Sequence, residues 1–116
     1  MHEMSLATDV LDTVVEIARQ SDAKRVRSVY MTIGSGRDVV EDLFSGLFDH
    51  LAMGTVAEGA DMVFRTTPLL ARCRDCGKVY PLNVFDEKTW PCPACGKRDY
   101  ELYSGMEFSI DSVVVE

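Results

Sequence analysis

Four cysteines arranged in two close pairs constrain the fold of this chain more than any other sequence feature. Two residues separate Cys73 from Cys76 and Cys92 from Cys95, and fifteen residues lie between the pairs. Two thiolates at this spacing reach one metal ion, and two such pairs supply the four ligands that tetrahedral Zn2+ takes in structural sites. The spacing therefore predicts one closed tetrathiolate zinc site with no position open for a substrate.

Each cysteine pair is followed by a glycine, Gly77 or Gly96. Glycine adopts positive φ readily, which lets backbone N–H groups turn toward the sulfurs, so each pair is predicted to form a metal-binding knuckle. Between the pairs, Val79-Tyr80 and Trp90-Pro91 flank a turn-prone stretch at 83–88, which predicts a β-hairpin. The whole module resembles a zinc ribbon.

Iron is the alternative to zinc at this site. The segment from Cys92 to Gly96 resembles a rubredoxin knuckle, and four thiolates can also hold a one-electron iron centre. An iron protein of this kind would be red, whereas a zinc protein would be colourless and contain one zinc per chain. We expect structural Zn2+ here.

The N-terminal residues and the chain length indicate the compartment and the size of the core. The segment Met1 to Ser5 contains Glu3 and lacks the basic start and apolar core of a signal peptide, so a cytoplasmic protein is expected. Cytosolic thiols stay reduced, which favours metal ligands over disulfides. With 116 residues, the chain can form one compact domain that carries a small metal-stabilised insertion.

The charge of the chain is distributed unevenly. The segment 69–103 contains six basic and five acidic residues, and the rest of the chain contains six basic and fourteen acidic residues. The net charge is therefore +1 in the cysteine segment and −8 elsewhere, which argues against nucleic acid as a partner of the main body. An acidic surface of this kind keeps a protein soluble or docks a basic partner.

Apolar periodicity predicts two helices and three strands outside the cysteine segment. Apolar residues recur at three- and four-residue intervals over about 4–18 and 38–53, which predicts two amphipathic helices. Alternation and β-branched composition predict strands at 25–33, 62–66 and 108–115. The predicted helical stripes are Leu6, Val10, Leu11, Val14, Ile17 and Ala18, and then Val40, Leu43, Phe44, Leu47, Phe48 and Leu51.

These elements predict an α+β fold in which two helices cover one face of a small three-stranded sheet, with an inserted zinc-ribbon module. The predicted domains are 1–68 plus 104–116 and the zinc ribbon at 69–103. In the first strand, Val29, Met31 and Ile33 should face the core, while Tyr30 and Thr32 face the other side. Exposed strand edges would also allow a homodimer.

The N-terminus offers a second group of metal ligands. Methionine is generally retained when the second residue is large, so His2 is expected to follow a free amine on Met1. The amine and the His2 amide nitrogen close a five-membered chelate ring, and that amide and the imidazole close a six-membered one. This flat nitrogen array suits Ni(II) or Cu(II), with the Glu3 amide or another side chain completing the plane.

Several features together resemble the hydrogenase-maturation nickel metallochaperones. They are Met1-His2-Glu3, the amphipathic helix behind it, Gly54-Thr55, Glu58-Gly59-Ala60 and the two-knuckle module. The resemblance extends over the whole chain, and its most specific element is the Met-His-Glu start combined with the cysteine spacing.

The resemblance implies that His2 is a nickel ligand, that backbone nitrogens near His2 and Glu3 contribute, and that the four cysteines hold zinc. It implies a nickel-handling GTPase as partner and delivery of nickel to the large subunit of a nickel-iron hydrogenase, with urease served in some members. Relatives differ at Arg37-Asp38-Val39-Val40, so no ligand is inferred there. Asp38 and Glu41 are expected to be acids at a helix start, with an outer-sphere role at the nickel site as the alternative. His50 is expected to be an exposed histidine.

Two functions follow from these observations. The first is a carrier that binds Ni(II) at its terminus and passes it to a partner. The second is a zinc-ribbon adaptor that binds another protein and holds no second metal. An enzyme is not expected, because the sequence contains no convincing pair of nucleophile and base, no phosphate-binding loop and no open metal site.

Overall fold

The computed structural model describes residues 2–116, and of His2 it describes the backbone only. Met1 and the side chain of His2, both predicted to bind nickel, lie outside the described residues. In chain order, the elements are α1 (His2–Gln20), β1 (Val26–Gly34), α2 (Glu41–Ala52), β2 (Asp61–Thr67), β3 (Leu70–Cys73), β4 (Val79–Pro81), β5 (Tyr100–Ser104) and β6 (Phe108–Val115).

The chain forms two compact units and two three-stranded sheets. Unit 1 comprises Met1–Thr32, Val39–Arg65 and Ser109–Glu116, and unit 2 comprises Ile33–Asp38 and Thr66–Phe108. The strand orders are β2-β1-β6 in one sheet and β4-β3-β5 in the other. The two predicted helices and the predicted α+β class are confirmed, whereas the predicted domain boundaries stay a prediction.

Helix α1 is amphipathic, as predicted. Its buried side chains recur at three- and four-residue intervals, so that they form one face, while polar side chains such as Asp9 and Asp12 are exposed. The buried residues of α1 are Ala7, Val10, Leu11, Val14 and Ala18. Within residues 2–116, no helix is long and apolar enough to cross a membrane.

Helix α2 begins three residues later than predicted. Residues 35–37 form a short 3-10 helix that ends at Asp38, which has left-handed backbone angles (φ 57°, ψ 41°). An α-helix cannot continue through this conformation. Asp38 is therefore not a helix-start acid, and Val40 is extended and 56% exposed rather than part of the apolar stripe.

The apolar face of α2 is narrower than the predicted stripe. Phe44, Phe48 and Ala52 are buried, whereas Leu43 is 41% exposed. The ring of Phe44 packs edge-on against Phe64 of β2, with 5.9 Å between the ring centroids. This aromatic contact anchors the helix to the sheet of unit 1. Beyond the helix end, Gly54 has the positive φ expected of a glycine that terminates a helix.

The central strand β1 is buried on both faces in its second half, from Met31 to Gly34. Val29 and Met31 are fully buried as predicted, but Thr32, predicted to lie on the open face, is only 3% exposed. The hydroxyl of Thr32 donates to Oδ2 of Asp111 at 2.5 Å and accepts from Nε of Arg65 at 3.3 Å. These two partners make burial of the threonine hydroxyl tolerable.

In unit 2, β3 is the central strand. It pairs antiparallel with β4, with Ala71 opposite Tyr80, and antiparallel with β5, with Cys73 opposite Tyr100. The predicted hairpin between Val79-Tyr80 and Trp90-Pro91 is therefore wrong. Residues 87–89 form a short 3-10 helix instead, and β4 finds its partner in β3.

Two backbone segments of unit 2 cross in close contact at Gly34 and Gly105. The N–H of Gly36 donates to the carbonyl oxygen of Gly105 at 2.8 Å. A Cβ on Gly34 would lie 2.0 Å from that oxygen, and one on Gly105 would lie 2.4 Å from Cα of Leu69. Only glycine fits at either position, because the obstructing atoms belong to the backbone.

We expect Gly34→Ala to lower the free energy of unfolding by about 2–4 kcal/mol, because the added methyl forces the two backbones apart. Gly46→Ala is the matched control. Gly46 lies in α2 with no atom within 4 Å of an added Cβ, so alanine should raise stability by about 0.5–1 kcal/mol. Urea unfolding followed by circular dichroism measures both changes, and equal effects of the two substitutions would contradict this account.

Candidate metal centre

The four predicted zinc ligands lie together in unit 2. Their Sγ atoms are all within 4.8 Å of one another, with 3.5 Å from Cys73 to Cys95 and 3.5 Å from Cys76 to Cys92. Cys73 and Cys92 are buried, and Cys76 and Cys95 are exposed. Among residues 3–116, whose side chains the structure describes, no other cluster of three or more metal-binding side chains occurs.

The two cysteine pairs form knuckles with the same hydrogen bonds. In the first, Gly77 N donates to Cys73 O at 2.9 Å, and Cys73 N donates to the carbonyl of Lys78 at 2.9 Å. In the second, Gly96 N donates to Cys92 O at 2.7 Å, and the N–H of Cys92 bonds in the same way to the residue after Gly96. Both glycines have positive φ, near 79° and 77°, which confirms the role predicted for them.

An aromatic network holds the segment that leads into the second knuckle. Tyr80 is 2% exposed, and its hydroxyl donates to the carbonyl oxygen of Trp90 at 2.8 Å. The ring of Tyr80 packs edge-on against Tyr100, with 6.5 Å between centroids. These contacts replace the predicted hairpin as the means of bringing Cys92 to Cys73. The sequence contained a signal for the packing role of Tyr80, because an aromatic residue on a short strand beside a metal site is expected to be packed.

Salt bridges also join the two knuckles across the site. Nζ of Lys97 lies 3.6 Å from a carboxylate oxygen of Asp75, and a guanidinium nitrogen of Arg74 lies 3.5 Å from Asp99. All four side chains are largely exposed, so each pair contributes at most about 1 kcal/mol. The aromatic network is therefore the stronger support.

The thiols of Cys92 and Cys95 differ in how readily they ionise without a metal. Burial raises the pKa of Cys92, but N–H groups of Cys95 and Ala94 outweigh it and lower that pKa to about 7. At Cys95, the N–H of Lys97 lowers the pKa, but the neighbouring thiols, first that of Cys73, raise it to about 11. Crowded thiols oppose full ionisation, and a cation among them would remove that opposition.

The donor set fits a tetrahedral Zn2+ ion. With Zn–S bonds of about 2.3 Å, the sulfurs of a tetrahedral site lie about 3.8 Å apart. The observed sulfur separations start at 3.5 Å and stay within 4.8 Å, so small side-chain movements suffice. Four thiolates fill the coordination shell, which leaves no position for a substrate.

Of the residues predicted to bind nickel, His2 and Glu3 lie at the start of α1, and Met1 lies outside the described residues. The helix begins at His2, and Glu3 lies in its first turn with a half-buried side chain. The other candidates lie elsewhere in the chain. Asp38 belongs to unit 2, Glu41 is the first residue of α2, and His50 is exposed, as predicted.

Comparison with known proteins gives consistent matches over the whole chain. A family model described as hydrogenase/urease nickel incorporation, metallochaperone, hypA, matches residues 1–115. The chain is 40% identical over 114 residues to the hydrogenase maturation factor HypA of Streptomyces avermitilis, with 97% of this chain and 86% of that protein covered. It is 33% identical over 116 residues to HypA of Chlorobaculum parvum, with both chains fully covered.

Two solved structures share the fold. The solution structure of the Ni metallochaperone HypA from Helicobacter pylori has a TM-score of 0.66 at 18% identity, covering 97% of this chain and 96% of that one. A solution structure of HypA protein has a TM-score of 0.74 at 22% identity, covering 100% of this chain and 97% of that one. Since the family model covers nearly every residue and a relative at 33% identity matches end to end, this chain belongs to the HypA family of metallochaperones for hydrogenase and urease nickel incorporation.

Proposed function

We propose that this protein carries Ni(II) on Met1, His2 and Glu3 and delivers it to the precursor of a nickel-iron hydrogenase large subunit, with urease as a further recipient. The four cysteines hold a structural Zn2+ ion. A nickel-handling GTPase is the proposed partner in delivery. The observation that supports the nickel site most directly is that α1 begins at His2, so that His2 and Glu3 of the predicted chelate belong to its first turn.

A helix that begins at His2 has backbone nitrogens free to bind metal. The first N–H groups of an α-helix have no carbonyl four residues earlier to accept from them. Deprotonating the amides of His2 and Glu3 for coordination to nickel therefore breaks no helical hydrogen bond. The rigid helix also holds the two nitrogens in a fixed relation, which reduces the entropy lost when the chelate closes.

The charge of the helix start determines which complex is stable there. The N-terminus of a helix carries a partial positive charge and disfavours a bare cation. Nickel bound by deprotonated amides carries less net charge, and the carboxylate of Glu3 in the first turn reduces the repulsion further. A square-planar complex of Ni(II) with nitrogen ligands both uses the deprotonated amides and keeps the net charge at the helix start low.

Delivery needs no catalytic group on this chain. A carrier that holds nickel through few ligands releases it to a recipient that binds it more strongly, and the free-energy difference drives the transfer. Protonation of the amide and amine assists release, since both must be deprotonated to bind the metal. The matched family is described as one of metallochaperones, which agrees with transfer without covalent chemistry.

The zinc site serves a different purpose. The buried cluster of unit 2 consists of Ala71, Cys73, Tyr80, Leu82 and Cys92, so two of its five members are proposed ligands. Such a small core does not offset the entropy of ordering the segment, and a bound structural ion supplies the missing free energy. The zinc thus keeps unit 2 folded and leaves nickel chemistry to the terminus.

We expect untagged protein to bind one Ni(II) in calorimetry and His2→Ala to bind it at least about tenfold more weakly. His50→Ala is the matched control, because the chain has two histidines and His50 is exposed on α2. A chain extended by residues before Met1 should lose nickel binding as His2→Ala does, since it lacks the free amine at that position. If all four proteins bind nickel alike, the terminal site is wrong, and an adaptor without a second metal becomes the better account.

Nickel affinity should fall as the pH falls from 8 to 6. An α-amine has a pKa of about 7.7–8 and an imidazole about 6.5, so protons compete for both donors across this range, and the bound amides must also lose their protons. Calorimetry in two buffers with different ionisation enthalpies should show net proton release on binding. An affinity independent of pH would contradict a site built on the amine.

Purified protein is expected to contain one zinc per chain and to be colourless, whereas a red protein would indicate iron at the four cysteines.

Cys92→Ser should lose zinc and lower the thermal stability of unit 2, because a structural metal supplies folding free energy. His2→Ala, as the control, should retain zinc. Acidification should release zinc as protons compete for the thiolates. Full zinc retention in Cys92→Ser would exclude the four-cysteine site.

A further inference from the structure

Residues 83–86 form a rigid turn at the surface of unit 2, here called the Phe85 turn. Asp86 N donates to the carbonyl of Asn83 at 3.1 Å, and Phe85 N donates to Oδ1 of Asn83 at 3.0 Å. The same Asn83 carbonyl accepts from Nε1 of Trp90 at 2.9 Å, and Asn83 N donates to Oγ1 of Thr89 at 2.9 Å. Asn83 is thus held from both sides, and the turn is preorganised.

The turn displays two apolar side chains to solvent. Phe85 is 90% exposed and Val84 is 51% exposed. They border a groove of about 340 Å³ whose other walls include Leu69, Leu82 and Asp38. A rigid turn that exposes an aromatic side chain beside a groove of mixed apolar and polar lining keeps apolar surface in contact with water, which is unfavourable. An aromatic anchor with little conformational freedom is the kind of group that dominates binding between proteins.

The charges around the turn indicate the chemistry of its partner. Asp38 lines the groove, and Asp86 and Glu87 directly follow Phe85 in the chain. Among the side chains of residues 3–116, no salt bridge joins any of these three acids to a basic group. The neighbouring Lys88 lines a different groove, with Tyr80 and Pro91. The apolar tip of the turn therefore has an acidic border, which complements a partner surface with basic side chains around an apolar pocket.

A second copy of the chain fits this surface poorly. Two copies that exchange Phe85 side chains about a two-fold axis would bring their acidic borders together, and like charges in an interface are costly. A four-residue turn and its groove also cover far less than the about 800 Å² per partner of a stable interface. A short-lived contact with a different protein avoids the repulsion between acidic borders and needs less buried area. A metal carrier requires contacts of that kind.

We propose that the Phe85 turn docks into an apolar pocket bordered by lysine or arginine on the protein that receives nickel. This inference rests on the proposed function, which supplies the recipient. Phe85 enters the pocket, and Asp86 and Glu87 pair with the basic border. The turn lies in unit 2, whereas the proposed nickel ligands belong to unit 1. Docking through Phe85 thus involves none of the nickel ligands, so they stay available for transfer.

The test measures binding of the full zinc-loaded chain to the purified hydrogenase large-subunit precursor by calorimetry. Phe85→Ser should raise the dissociation constant about tenfold or more. Tyr103→Ser is the matched control, since Tyr103 is another aromatic side chain of unit 2 that is 59% exposed, and it should change the constant less than about twofold. Glu87→Lys should weaken binding and make it less sensitive to salt.

Nickel and zinc content are measured on the same variants to separate this inference from the proposed function. Phe85→Ser should keep both metals, because it removes no proposed ligand. If the terminal site fails its own test while Phe85→Ser still weakens precursor binding, the docking inference stands. The inference is overturned if Phe85→Ser leaves the dissociation constant for the precursor unchanged, or if the unsubstituted chain does not bind the precursor. It is also overturned if Phe85→Ser weakens binding to the GTPase but not to the precursor.

Discussion

The convergence of four cysteine sulfurs on one point is the constraint on which unit 2 depends. Their Sγ atoms lie within 4.8 Å of one another, and Cys73 and Cys92 belong to the small buried cluster of that unit. A cation bound among four thiolates this close would stabilise their negative charges. Strand β3, the two knuckles and the Tyr80 network all serve to hold the sulfurs in place. The Tyr80 network also supports the turn that exposes Phe85, because Tyr80 bonds to Trp90 and the indole N–H of Trp90 donates to Asn83.

Unit 1 is stabilised by conventional packing instead. Helices α1 and α2 each bury an apolar face, and the edge-on contact of Phe44 with Phe64 joins α2 to the sheet. This unit needs no metal for its core, so the proposed nickel site can exchange its ion without unfolding the protein. A carrier benefits from this separation, because a cargo ion must leave and a structural ion must stay.

Local patterns predicted α1, strand β6 and the knuckles correctly, because helical periodicity, β-branched runs and cysteine spacing each act over a few residues. Three predictions failed where distant residues intervene. Asp38 adopts left-handed angles after a 3-10 turn, so α2 starts late. Thr32 is buried because Asp111 and Arg65 approach its hydroxyl. Residues 87–89 form a 3-10 helix, and β4 pairs with β3 instead of with residues 90–91.

The sequence by itself determined the spacing of the two cysteine pairs and the Met-His-Glu start, because residue type and spacing are local properties that no packing can alter. It also determined that Gly77 and Gly96 take positive φ, since the knuckle requires it. Only the tertiary structure decided the burial of Thr32, the crossing of Gly34 with Gly105 and the exposure of Phe85. Each of these depends on atoms brought together from distant parts of the chain, and sequence periodicity carries no information about such contacts.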